Sequence, residues 1–441
     1  MVNEIFKRMK LWDKGYQIDD FVDQYTVGND RDLDQRLAKY DIQGSMAHAH
    51  MLHAVGLLTE AEEKDLQAAL QELASEVEAD MFVIGDSFED VHSYVEYRLT
   101  ERVGDAGKKI HMARSRNDQV LVDLHLFAKA ELEGLVKDAK ALFDQLLVLA
   151  EAHKDKPLPG YTHMQVAMPS SFGLWFGAYA ETLIDDLYFI KAASRVADQN
   201  PLGSGAGYGS SFPIDRDLTT SQLGLAQVRI NAVAAQMSRG KLEQAVAAAC
   251  AAVSATLSKM AADMCLYMSQ NFGFVRFPPE LTTGSSIMPH KQNPDVWEVM
   301  RARSARIMSI PGELALVTSG LTSGYHRDMQ VLKSPLMEAL DTTRENVRAA
   351  TFMLSHIQPQ TQLTDDERYD LLFTVEEVNR RVLAGEAFRD AYKAVGESVF
   401  NGSYVPNREV QHTHLGSIGN LGLDRIREKW EGVLDFETLQ E

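Results

Sequence analysis

Little in this chain could serve a metal, a nucleic acid or a membrane. Only two cysteines occur in 441 residues, Cys250 and Cys265. With no CxxC and no Cys/His ligand spacing, neither a zinc site nor a disulfide framework is expected, and the apolar helical patterns around both predict buried free thiols. Basic runs are missing as well. The 63 acidic residues outnumber 44 basic ones, giving a formal net charge of −19, and no block of Lys and Arg could follow a phosphate backbone. Nucleic acid is therefore not an expected partner. No apolar run reaches the roughly 20 residues that cross a bilayer, and the opening "MVNEIFKRMKLWDKG" lacks the apolar core of a signal peptide. A cytoplasmic protein is the expectation. Strand patterns are equally scarce.

What remains is helix, and a great deal of it. "LTEAEEKDLQAALQELASEVEAD" (58 to 80) spaces its apolar residues helically behind Thr59, a predicted N-cap. Proline-free runs from Asp118 to about His153 and from Ala234 to about Phe272 are far longer than ordinary globular helices. A third run spans Pro169 to about Asn200, and a fourth follows Pro294 to about Ile310, where Pro311 could kink or interrupt it. At 1.5 Å per residue the first of these rods is about 54 Å long. The pattern predicts an all-α protein of three helical domains: residues 1–109, a central long-helix bundle over 110–357, and a small helical domain over 358–441.

Polar loops lie between the rods, and chemistry concentrates in such loops. In "KKIHMARSRNDQV" (108 to 120), Ser115, Arg116, Asn117 and Asp118 stand where a helix begins, a place whose free N–H groups and dipole favour an anion. "LPGYTHMQVAMPSS" (158 to 171) encloses Thr162, His163 and Gln165 between prolines. "NPLGSGAGYGSSFPID" (200 to 215) fails the dinucleotide fingerprint, because Tyr208 stands where its third glycine belongs and no strand precedes it. The richest loop is "TTGSSIMPHKQNPDVWEVM" (282 to 300). There Asn293 followed by Pro294 reads as N-cap and first helical residue, which would set Lys291 near a positive helix end, an arrangement suited to a carboxylate that gains charge. Gly284 permits mobility at Ser285 and Ser286, and Glu298, one turn into the helix, could orient a histidine such as His163.

Taken together, "GSSIMPHKQNP" resembles the signature loop of the fumarase/aspartase superfamily, and "YDIQGSMAH", "EDVHSYVEYRL", "RSRNDQV", "GYTHMQ" and "PLGSGA" in that order resemble its argininosuccinate lyase branch. The resemblance implies a cofactor-free, fumarate-releasing C–N lyase acting on a small molecule, argininosuccinate, with no metal. It makes Ser285 the base, pairs His163 with Glu298 near the departing nitrogen, and gives Lys291 and Asn293 the aci-carboxylate intermediate. His92, Ser115, Arg116, Asn117, Thr162, Gln165, Tyr325, Gln330 and Lys333 become substrate-binding residues. Departures from the pattern gather where a guanidinium would be recognised: Met112, Ala113, Val166, Met168, Val331, Leu332, and Gly28 near an expected serine.

The resemblance also implies a homotetramer whose long helices form a common core. A rod of about 54 Å separates the "RSRND" loop from the "GYTH" loop, so one small-molecule site would draw its residues from several chains. Two alternatives stay open: adenylosuccinate lyase, favoured by His290 but lacking a basic cluster for a nucleotide phosphate, and an inactive structural protein like the lens crystallins derived from this fold.

Overall fold

The structure, a computed structural model, describes residues 19–434, so the opening segment read for targeting lies outside the described residues. The predicted helical class holds. Helices Asp30–Ala54, Glu60–Glu78, Arg116–Ala152, Phe172–Ala197, Lys241–Met268, Asp295–Thr318 and Lys333–Leu354 hold most of the α-helical residues, and the strands among the described residues form only two-stranded sheets. Thr59 caps its helix as expected, within a full capping box: Glu62 N–H donates to Thr59 Oγ1 at 3.3 Å, and Thr59 N–H donates to Glu62 Oε2 at 2.9 Å.

Several boundaries differ from expectation. The run from Ala234 is two helices, Ala232–Gln236 and Lys241–Met268. Gly240 breaks them with φ of 83°, and a Cβ there would meet Thr318 Cγ2 at 2.5 Å. Pro311 does not interrupt Asp295–Thr318. Pro169 belongs to a strand, and the helix after it starts at Phe172. Lys241–Met268 is long and apolar enough to cross a membrane by length and composition, contrary to the expectation that no such run exists. Its Leu242, Val246, Val253, Leu257 and Met264 are nonetheless fully buried, as in the core helix of a helical bundle. Cys250 is buried and Cys265 only half-buried, and neither forms a disulfide.

The chain divides into two compact units. One comprises the chain to Leu135, Phe189–Ala251 and Ile307–Asp341; the other comprises Val136–Tyr188, Ala252–Arg306 and the chain from Thr342. The first is centred on Ile42, Leu52, Leu66, Leu70, Phe82, Val91 and Leu99, where helices Asp30–Ala54, Glu60–Glu78 and Val91–Val103 pack together. The second has an aromatic core. In it Tyr161 lies 5.5 Å from Phe272, Phe274 packs 5.1 Å from Tyr267, and Phe143 stacks on Trp430 at 4.4 Å.

Candidate active site

The predicted site residues fall into two groups, one in each unit. In the first unit, His92, Arg116, Asn117, Tyr325, Gln330 and Lys333 come together around a cavity of about 130 Å³. Sequence reasoning missed Asp30, Asp34, Glu89, Arg239 and Arg327, which also line it. Glu89 lies inside the block "EDVHSYVEYRL" and Arg327 between the expected Tyr325 and Gln330, whereas nothing local marks the other three.

Each charged group at the cavity is tied to another. Lys333, 3% exposed, places Nζ 2.5 Å from Asp34 Oδ1 and 2.8 Å from Asp30 Oδ1. Burial opposes its charge, but the two carboxylates prevail and raise its pKa. Burial likewise opposes ionisation of Glu89, yet the guanidiniums of Arg116 and Arg327 hold its carboxyl below the usual range. Arg116 also pairs with Asp90. Arg239 donates to Glu243 at 2.8 Å and to the Met329 carbonyl at 2.6 Å, which fixes the segment carrying Gln330. Gln330 in turn donates to the Thr26 carbonyl at 2.7 Å. The cavity is thus a matched set of acids and bases rather than a field of one sign.

Ser115 caps the helix Arg116–Ala152 by accepting from Asn117 N–H at 3.2 Å. Asp118 acts as a clasp. Its Oδ1 accepts from Ser115 N–H at 2.8 Å, and its Oδ2 accepts from Gly203 N–H and Gly205 N–H at 3.0 and 2.9 Å, joining the "RSRND" and "PLGSGA" loops. Burial pushes the Asp118 carboxyl up to about 6 against these donors.

In the second unit the "GYTH" segment is a hairpin, not the loop expected. Strand β1 (Pro157–Thr162) pairs antiparallel with β2 (Gln165–Ser171), and Thr162 faces Gln165 across a two-residue turn. His163 and Met164 form that turn with φ of 50° and 59°, the left-handed pair of a type I′ turn. The prolines and the lack of Asn-Gly hid it from the sequence. Gly160 is required where the register shifts, since a Cβ there would lie 2.5 Å from the Met168 carbonyl oxygen. Tyr161 anchors the hairpin through Phe272, and His163, Thr162 and Gln165 stand exposed at its tip.

Ser285 Oγ accepts from Met288 N–H at 3.2 Å and Ile287 N–H at 3.4 Å, two amides that would stabilise negative charge on the oxygen. Asn293 is not the cap predicted. Trp297 N–H and Glu298 N–H both donate to the Pro294 carbonyl, and Asn293 Nδ2 closes the loop on the Gly284 carbonyl at 3.2 Å. Because Pro294 itself accepts the first helical bonds, the cap lies one residue later. Lys291, Glu298 and His163 are exposed, and among the described residues no side-chain partner holds any of them.

The lyase family profile matches residues 17–309. The chain is 51% identical over 435 residues to an argininosuccinate lyase of Parabacteroides distasonis, covering 98% of each chain. The chain belongs to the argininosuccinate lyase family. A second relative of that name, from Phocaeicola vulgatus, is 50% identical over 97% of this chain and 96% of its own. Among solved structures, EDDS lyase in complex with formate superposes with a TM-score of 0.75 at 18% identity, covering 94% of this chain and 91% of its own. The class II fumarase of Schistosoma mansoni does so with a TM-score of 0.68 at 15% identity, covering 87% and 91%. These likenesses carry the helical fold. The relatives' names favour neither alternative reading of the sequence, and a fumarate-releasing lyase acting on a small molecule is what the family supports.

Proposed function

We propose that the protein catalyses reversible β-elimination of L-argininosuccinate to L-arginine and fumarate, without cofactor, in cytoplasmic arginine biosynthesis. The observation that carries the substrate is the first unit's cavity, whose paired acids and bases suit an amino-acid end bearing both an ammonium and a carboxylate. In the reaction, Ser285 takes the proton from the carbon beside the succinyl carboxylate. The electron pair moves into an aci-carboxylate facing Lys291 and Asn293. On its return the C–N bond breaks, and His163, charged and oriented by Glu298, supplies a proton to the leaving nitrogen or organises its donor. Two amide N–H groups at Ser285 Oγ support a serine as base, because they lower the cost of the alkoxide. His92, Ser115, Arg116, Asn117, Thr162, Gln165, Tyr325, Gln330 and Lys333 hold the substrate.

The working form in this reading is a homotetramer, with the N-terminal domain at 1–109, the bundle at 110–357 and the small domain at 358–441. The 37-residue helix Arg116–Ala152 rises about 55 Å, with Asn117 at its start and the His163 hairpin shortly after its end. Large apolar side chains stand exposed along the long helices, among them Val148, Phe189, Met308, Leu316 and Phe352, surface that a symmetric core of helices from four chains would cover. Each site then takes residues from three chains. The decisive assay follows ultraviolet absorbance of fumarate with argininosuccinate and adenylosuccinate side by side. Release from the first alone is expected, and release only from the second would overturn the substrate assignment.

A further inference from the structure

Beneath the cavity, around His92, lie two buried carboxylates that the elimination scheme does not use, Asp41 and Asp123. His92 occupies the first turn of helix Val91–Val103 and lines the cavity while only 4% exposed. Its Nδ1 lies 2.6 Å from Asp41 Oδ1 and 3.7 Å from Asp123 Oδ2, leaving Nε2 as the ring nitrogen for a ligand. Asp41 Oδ2 and both oxygens of Asp123 are buried without a hydrogen-bond partner. A separation of 2.6 Å between Nδ1 and Oδ1 is that of a charge-assisted hydrogen bond. Two ligands on one ion, each at about 2.0–2.2 Å from it, would stand farther apart, so the trio reads as a proton-sharing cluster rather than a metal site.

The proton count follows from the surroundings. Facing His92 are Asp41 and Asp34 from one helix, Asp123 from the helix Arg116–Ala152, and His111 from the loop before it, whose Arg114 faces Asp41 and Asp123. Arg114 is held by Ser45 Oγ at 3.0 Å. Two neighbouring buried carboxylates do not both ionise without donors. Burial and the neighbouring Asp41 push the Asp123 carboxyl well up, whereas Asp41 makes the short bond to His92 Nδ1. The N-terminal end of Val91–Val103 would by itself disfavour a positive ring; Asp41 offsets it. We propose that Asp41 is a positioning residue, keeping His92 an imidazolium that offers Nε2–H to a carboxylate of the ligand, while Asp123 stays neutral beside it. The nature of the ligand rests on the lyase reading above.

The test uses the full chain carrying 13C-labelled histidine, with the His92 resonance assigned by its loss in His92→Gln. In the unmodified protein His92 is expected to titrate above the solvated value of about 6.5. Asp41→Asn should lower that midpoint by about one pH unit or more, and Asp123→Asn, isosteric with a protonated carboxyl, should leave it in place. In turnover, Asp41→Asn raises KM for argininosuccinate about tenfold above pH 7 with kcat within a few-fold, and the gap closes on acidification. A His92 midpoint at or below the solvated value in the unmodified protein overturns the proposal, and that measurement stands even if Asp41→Asn does not fold. A KM ratio constant across pH overturns it too. Because the titration needs no turnover, a protein inactive on argininosuccinate with a high-titrating His92 would refute the substrate and not the positioning role.

Discussion

At the first unit's cavity every charged side chain is engaged: Lys333 with Asp30 and Asp34, Glu89 with Arg116 and Arg327, Arg239 with Glu243. In the second unit His163, Lys291 and Glu298 are exposed and have no side-chain partner among the described residues. In the proposed reaction the two regions divide the labour of a site. Holding a charged ligand calls for groups already desolvated and fixed, whereas groups that move protons or meet developing charge must reach the reacting atoms and so cannot be locked into internal pairs. The difference also teaches that the groups proposed to bind are already paired within one chain, whereas those proposed for the chemistry are not.

The sharpest way to break this contrast is at Ser285. Ser285→Ala should reduce kcat at least about 100-fold while KM changes little, because proton transfer acts in the transition state. Steady-state kinetics check it, and activity within a few-fold of the unmodified enzyme would remove Ser285 from the chemistry. A subtler test asks whose loops complete the site. His163→Asn and Ser285→Ala chains, each nearly inactive, are refolded together at equal amounts; random tetramers should regain roughly a quarter of the activity. If mixed tetramers, verified by mass, recover nothing, both groups act within one chain.

The smallest effect concerns the cavity's foundation. Asp118→Asn cannot supply acceptors to Ser115, Gly203 and Gly205 together, and should cost about 1–3 kcal/mol at pH 7. It should also flatten a pH dependence. The Asp118 carboxyl is raised to about 6 in the folded protein, so its contribution is fully present below the unfolded value near 4 and is lost as pH rises through 6. Denaturant titrations from pH 4 to 7 should show that decline in the unmodified protein and not in the variant.

How much of this was legible beforehand follows from range. The long helices were readable because apolar spacing and absent prolines act within a few turns, and Arg116–Ala152 began within two residues of the expected Asp118. The hairpin was not, since a type I′ turn made of His163 and Met164 rather than Asn-Gly is set by the aromatic anchor at Tyr161. Asn293 was misjudged as a cap because the residue before a proline looks the same whether it or the proline accepts the first helical bonds. The motif residues were found by their neighbours in sequence. Asp30, Asp34 and Arg239 were missed because only the folded chain makes them neighbours of Lys333 and Met329.

That last feature has a counterpart in time. Asp34 and Lys333 are 299 positions apart, and Glu89 and Arg327 are 238 apart. On the ribosome, then, Asp34 emerges long before the lysine that neutralises it, and Glu89, which meets Arg116 early, gains Arg327 only late. The N-terminal helices can pack on their own apolar faces while Asp34 stays hydrated, and only the arrival of the segment around Lys333 allows it to be sealed from water. Closing such distant contacts is slow relative to local helix packing, so binding competence should be among the last properties the newly made chain acquires.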